Sequence, residues 1–195
     1  MNRNPSIAIG NQTAFTADTP RRPFDYALAN GFDAFEWFPD RKPWGAGWDE
    51  ADLTPEQRRE IRDVSRSRSL RLSVHARWQA NPLDPDARPI LLGDLDLARD
   101  LGAALLNIHL CVERGLPAYV NAITWLIGWL ADAGMQLALE NTPHTTPEQF
   151  NELFTSAVRI RLRADVEVAA YLSGGLDSTT TVAYIRDIEP GILNT

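Results

Sequence analysis

Three side chains in this 195-residue sequence are of the types that hold a divalent ion: His75, His109 and Glu140. Each ends an apolar stretch, Leu72-Ser73-Val74, Leu106-Asn107-Ile108 and Met135 to Leu139 respectively. Two neutral imidazoles and one carboxylate suit Zn, Mn or a similar ion, which polarises a carbonyl or lowers the pKa of bound water. A hydroxy-ketone chelated there can lose a carbon-bound proton to a base, the core of an isomerisation. A second chemistry stands near the other end of the chain, at Ser173-Gly174-Gly175-Leu176-Asp177-Ser178. It follows the apolar run Val166 to Leu172 and precedes the helix-like stretch Thr179 to Ile188. A strand, a tight loop and a helix N-terminus aim backbone N–H groups at one spot, where the helix dipole favours an anion, so a nucleotide pyrophosphate is the natural guest.

The elements that must position these groups alternate regularly. Strand-like segments are expected at 7–10, 32–38, 70–76, 104–110 and 135–140. Helices are expected at 23–30, closed by Gly31, at 55–67, at 87–101, at 117–133, closed by Gly134, and from Pro147 onward. Thr54-Pro55-Glu56-Gln57 and Thr146-Pro147-Glu148-Gln149 both read as capping boxes with Pro at the first helical position. The fifth helix can continue through Ala157 to Arg163, and Val166 to Leu172 can form a sixth strand.

Five or six βα units with nearly continuous apolar strands predict an α/β fold with a parallel sheet covered by helices. Asn11 and Gln12, Glu36, His75, His109, then Glu140 and Asn141 stand at the carboxyl ends of successive strands. Barrel enzymes gather reacting groups onto that one face, so the expectation is a partial (β/α)8 TIM barrel rather than an open doubly wound sheet.

Residues 5 to 154 resemble the xylose isomerase-like barrel superfamily, which includes sugar isomerases and epimerases and the family 2 apurinic endonucleases. The resemblance is carried by Gly31-Phe32-Asp33-Ala34-Phe35-Glu36, Leu72-Ser73-Val74-His75, Leu106-Asn107-Ile108-His109 and Leu137-Ala138-Leu139-Glu140-Asn141. It implies that Glu140 is a ligand of a divalent metal (Zn, Mn or Mg), with His75 and His109 as further ligands or substrate contacts. Residues 155 to 189 resemble the start of the synthetase domain of glutamine-hydrolysing asparagine synthetases. That resemblance implies ATP with Mg at Ser173, Gly174, Gly175, Asp177 and Ser178. Two domains are therefore expected, 1–154 as a partial barrel and 155–195 as a PP-loop segment. The N-terminal Met1-Asn2-Arg3 lacks the Cys nucleophile of the synthetases, and barrel strands six to eight are not recognisable, so the sequence reads as a fused or truncated product.

The first function expected is a metal-dependent isomerase or epimerase acting on a small sugar or hydroxy-carbonyl compound. Alternatives are an ATP-dependent amidotransferase fragment and a non-catalytic remnant or interaction module. A net charge of −7 argues against a broad nucleic-acid surface, and no apolar run reaches the length of a membrane span. One cysteine, Cys111, excludes an internal disulfide and suits a reducing cytoplasm, where it reads as an inert small hydrophobe. Glu36 and His144 read as either substrate contacts or ordinary barrel-mouth and loop residues, and Trp37, Trp44, Trp48 and Trp78 mainly as packing. Five or six units cannot close an eight-stranded barrel, so self-association through open sheet edges is expected.

Overall fold

A computed structural model describes residues 8–162 and 176–188. The chain divides into two compact units, Met1–Thr142 and Pro143–Thr195. In the first, the order is β1 (Gly10–Gln12), α1 (Arg21–Ala29), β2 (Ala34–Trp37), a 3-10 turn (Glu50–Asp52), α2 (Pro55–Arg68), β3 (Arg71–His75), α3 (Ala87–Leu101), β4 (Leu105–Leu110), α4 (Leu116–Asp132) and β5 (Gln136–Asn141). The second unit contains α5 (Pro147–Leu162) and α6 (Leu176–Ile188). The expected sixth strand, 166–172, lies outside the described residues.

Local chemistry explains the helix boundaries. Thr54 Oγ1 accepts from the Gln57 N–H at 3.3 Å, and Gln57 Oε1 accepts from the Thr54 N–H at 2.8 Å, so α2 starts with two of its orphan donors satisfied. Thr146 and Gln149 repeat the exchange at α5, at 2.9 and 3.3 Å. Gly102 and Gly134 follow α3 and α4 with φ of 68° and 65°, left-handed conformations that cost glycine nothing. One strand departs from expectation. Position 7 of the expected first strand lies outside the described residues, residues 8 and 9 are not strand, and β1 begins at Gly10, so Asn11 and Gln12 are part of it instead of following it. The Gly10↔Ala34 and Gln12↔Glu36 register with β2 fixes that placement.

All strand pairs are parallel, and the strand order is β1-β2-β3-β4-β5. This order without reversal selects the barrel architecture. Right-handed crossovers that always advance in one direction put every helix on the same face, whereas a doubly wound sheet must reverse its order to cover both. The five described strands form an arc that does not close.

The two faces of the sheet therefore differ in composition. Phe35, Trp37, Leu72, Val74, Leu106, Ile108 and Leu110 point to the helices and are buried. Phe24 of α1 meets Phe35 edge-on at 5.4 Å and Trp37 at 5.2 Å, while α3 and α4 contribute buried Leu91, Leu95, Tyr119, Ile123 and Leu126. Burial stabilises by about 1.5–3 kcal/mol for each large side chain. Alternate positions carry Gln12, Glu36, Ser73, His75, Asn107, His109 and Glu140 to the opposite face. The strands are thus half apolar rather than apolar throughout. Among the tryptophans, Trp37 and Trp48 belong to the core, whereas Trp44 and Trp78 are 72% and 56% exposed and contribute little packing.

In the second unit α5 packs on α6. Phe154 meets Tyr184 edge-on at 4.8 Å, the Tyr184 hydroxyl bonds Asn151, and Val158 and Ile185 are buried. Among the described residues no helix is long and apolar enough to cross a membrane.

Candidate metal centre

His75, His109 and Glu140 come together on the polar face, with one nitrogen or oxygen from each lying within 4.8 Å of the others. Strand register accounts for the convergence. His109 and Glu140 are direct partners across β4 and β5, and His75 pairs with Asn107, two positions before His109 on the same face. The rings of His75 and His109 meet edge-on with centroids 4.8 Å apart.

His75 is 95% buried and bonded at both nitrogens: Nδ1 is 2.7 Å from the Ala76 carbonyl oxygen, and Nε2 is 3.0 Å from Glu140 Oε2. Asn107 Nδ2 donates to that same Oε2 at 2.8 Å. Burial alone would raise the Glu140 pKa, but the bonds from Asn107 and His75 and the field of both imidazoles outweigh it and hold the carboxyl below its usual range. Burial also lowers the pKa of His109, reinforced by His75 and opposed by Glu140. Near neutral pH the face thus presents an ionised carboxylate beside an imidazole biased toward its neutral form.

Surrounding contacts hold these side chains in place. The Phe38 ring packs on His75 with centroids 4.3 Å apart. Buried Tyr119 of α4 donates its hydroxyl to the His109 carbonyl at 2.8 Å, which ties the end of β4 to the helix layer. Just after β3, Asp94 of α3 accepts from the Arg77 backbone N–H and from Arg77 Nε, both at 3.1 Å. Glu50 binds the other side of that guanidinium at 2.8 Å. Cys111 is half-buried, and burial together with the nearby Glu113 carboxylate pushes its thiol up to about 11, which leaves it protonated and inert.

The sequence singled out all three clustered residues but missed Asn107 and Ser73. Period-two alternation was the available signal, since each stands two residues before a strand-end histidine and must share its face. Glu36 is on the polar face too, where Oε2 accepts from Ser73 Oγ at 3.1 Å. His144 belongs to the second unit and is not a member of the cluster. Of the phosphate-loop residues, Ser173, Gly174 and Gly175 lie outside the described residues, while Asp177 and Ser178 fall in the first turn of α6.

A partial parallel barrel with paired imidazoles and a carboxylate at its strand ends defines the class, and the sequence comparison agrees. The family model described as xylose isomerase-like TIM barrel matches residues 24–169. The chain belongs to that family. A solved xylose isomerase-like TIM barrel/4-hydroxyphenylpyruvate dioxygenase fusion protein superposes with a TM-score of 0.51 at 19% identity, over 76% of this chain and 24% of that one. The structure described as the crystal structure of AsfvAP:AG superposes with a TM-score of 0.55 at 14% identity, over 94% of this chain and 71% of that one. At these identities the likeness shows the fold. A second family model, asparagine synthase, matches residues 149–195. Forty residues are 52% identical to a putative asparagine synthetase (glutamine-hydrolyzing) 2 of Methanocaldococcus jannaschii. That match spans 20% of this chain and 8% of the relative.

Proposed function

We propose that the polar face of the sheet is a divalent-metal site of the sugar isomerase or epimerase type, taking a small hydroxy-carbonyl substrate. The observation that carries this reading is the convergence of His75, His109 and Glu140, one ligand atom of each within 4.8 Å of the others, and the double contact of His75 adds to it. A carbonyl oxygen only accepts, so Nδ1 at 2.7 Å from Ala76 carries its hydrogen. The lone pair of a neutral ring then faces the Glu140 carboxylate oxygen at 3.0 Å. Two acceptors at that distance repel unless a cation joins them, either a proton on the ring or a metal ion that both ligate.

The donor set fits an ion. Two imidazoles and a carboxylate are ligands for Zn or Mn, and Asn107 orients the carboxylate as an outer-shell partner does. The three donor atoms lie within 4.8 Å of one another, so side-chain rotations that draw them closer together would let them share one ion. His75, His109 and Glu140 would hold the ion, which would supply Lewis-acid polarisation of a substrate carbonyl. The chain's own contribution is orientation and proton handling. Glu140, 49% exposed and held ionised, is placed to ligate or to accept a carbon-bound proton, and His109 is biased neutral to ligate beside it.

Calorimetric titration with Mn and Zn tests the assignment. Uptake by the purified chain is expected and Glu140→Gln should abolish it; equal uptake by the variant removes Glu140 from the site. Metal-dependent exchange of the carbon-bound protons of D-fructose in deuterated water, read by NMR, tests the chemistry.

The asparagine synthase match supports a separate proposal, nucleotide binding by residues 149–195. The observation favouring it is that α6 opens at Leu176, directly after Gly175, as a phosphate loop leading into a helix requires. Phosphate contacts alone bind ATP poorly, so weak or no binding is expected. Aspartate-dependent release of pyrophosphate from ATP would raise this reading above the first.

A further inference from the structure

On the polar face, one residue pair below His75, lies a recess of about 470 Å³ lined by β1, β2 and β3. Its shape follows from residue size. Gly10 has no side chain and its partner Ala34 has one carbon, so two adjacent strands leave room in front of the sheet. Above that floor, register aligns Gln12, Glu36 and Ser73 across three neighbouring strands with their side chains on the same face. The row offers a carboxamide, a carboxylate and a hydroxyl. The Ser73 hydroxyl already donates to Glu36 Oε2 at 3.1 Å, which orients the carboxylate.

We propose that this recess is a binding subsite for the hydroxylated, uncharged end of the substrate, with Glu36, Ser73 and Gln12 reading its hydroxyl groups and excluding a phosphate there. The proposal rests on the metal-site reading for the position of the reacting end. Ser73 and His75 are two residues apart on one strand, a rise of about 6.6 Å, which the carbon chain of a small sugar spans. A carboxylate accepts from two neighbouring hydroxyls of a polyol, and the amide both donates and accepts. No Lys or Arg is among the lining residues; Arg71, level with Ala34 on this face, stands one residue pair below the row and is exposed, so a phosphate beside Ser73 would meet the Glu36 carboxylate first. The Glu36 carboxylate thereby selects free sugars over sugar phosphates.

Saturation-transfer NMR with xylitol, an unreactive neutral polyol, and with sorbitol 6-phosphate tests this, with Mn uptake measured in parallel on the same samples. Xylitol should bind the wild-type chain and sorbitol 6-phosphate should bind at least about tenfold more weakly. Glu36→Gln and, independently, Ser73→Ala should each weaken xylitol binding, the former by about tenfold or more, while Mn uptake is unchanged. Absence of xylitol binding, equal binding by wild type and both variants, or a preference for the phosphorylated probe overturns the subsite. Should wild type take up no Mn and still bind xylitol through Glu36, the metal reading falls and the subsite stands.

Discussion

Nε2 of His75 and Oε2 of Glu140 lie 3.0 Å apart although 65 positions separate them in the sequence. The strand between them, β4, makes the contact possible. Its Asn107 is level with His75 and its His109 with Glu140, so the glutamate reaches back one residue pair and is met there by both His75 and the Asn107 amide.

Asn107 should accordingly govern metal affinity without being a ligand. Asn107→Ala removes the 2.8 Å donor to Glu140 and frees the carboxylate to rotate. Outer-shell losses of this kind cost about 10–100-fold in affinity. Calorimetry should show that drop with a nearly unchanged melting temperature. Unaltered Mn affinity would mean that Glu140 is oriented by His75 alone.

Acidification should destabilise the metal-free chain in two windows. Burial, helped by His75 and opposed by Glu140, holds His109 below the ordinary imidazole value of 6.5. The unfolded chain then takes up a proton that the folded one resists, so stability present above 6.5 is lost as pH falls from there toward the lowered folded value. For Glu140, burial is outweighed by its hydrogen bonds and the imidazole charges, and the folded value lies below 4.5. Its contribution is present above 4.5 and is lost on further acidification. Melting in chelator from pH 8 to 3 should show both declines, and His109→Phe should remove the upper one and reduce the lower, because His109 is one of the imidazoles that hold Glu140 down. Asp94, pushed up to about 7 by burial, acts with the opposite sign in this range, so the His109 contribution is the difference between wild type and His109→Phe; identical profiles for the two from pH 7 to 5 would contradict the His109 environment described here.

The Arg77 ion pair should matter more than any pair on the surface. Asp94 has a fully buried side chain and Arg77 is 17% exposed, so Asp94→Ala strands a guanidinium with only Glu50 and the Ile90 carbonyl for company. Breaking a buried pair costs about 3–5 kcal/mol, with the lower end expected because Glu50 remains. In a chain of this length that is a drop of roughly 6–12 °C in melting temperature. Urea unfolding should give the same loss; a value under about 1 kcal/mol would show that Glu50 suffices as partner.

Gly47 is required by sterics. Its φ is +89°, and a Cβ there would lie 2.1 Å from the Asp40 carbonyl oxygen, which is backbone and cannot swing aside. Gly47→Ala should cost at least about 2 kcal/mol and loosen the neighbouring Trp48, which is 3% exposed. Tryptophan fluorescence and thermal melting check both. An unperturbed melt would show that the loop moves freely.

The sequence by itself determined the elements and much of the site. Capping boxes at Thr54 and Thr146 and glycine stops at Gly31 and Gly134 are local chemistry and read directly from residue types. The strand-end positions of His75, His109 and Glu140 were legible for the same reason, because an apolar run ending in a ligand-type residue needs no partner to be noticed. Tertiary structure alone decided how these pieces relate. Strand order without reversal put α1 to α4 on one face and left the other polar, a property of neighbours in space that no single segment encodes. Register then placed Asn107 one residue pair from Glu140, within reach of its carboxylate, and Ser73 level with Glu36, since which residues of parallel strands lie level depends on long-range hydrogen bonding between them. The start of β1 at Gly10 was likewise set by pairing with Ala34, because a three-residue strand is too short for its own pattern to define its ends.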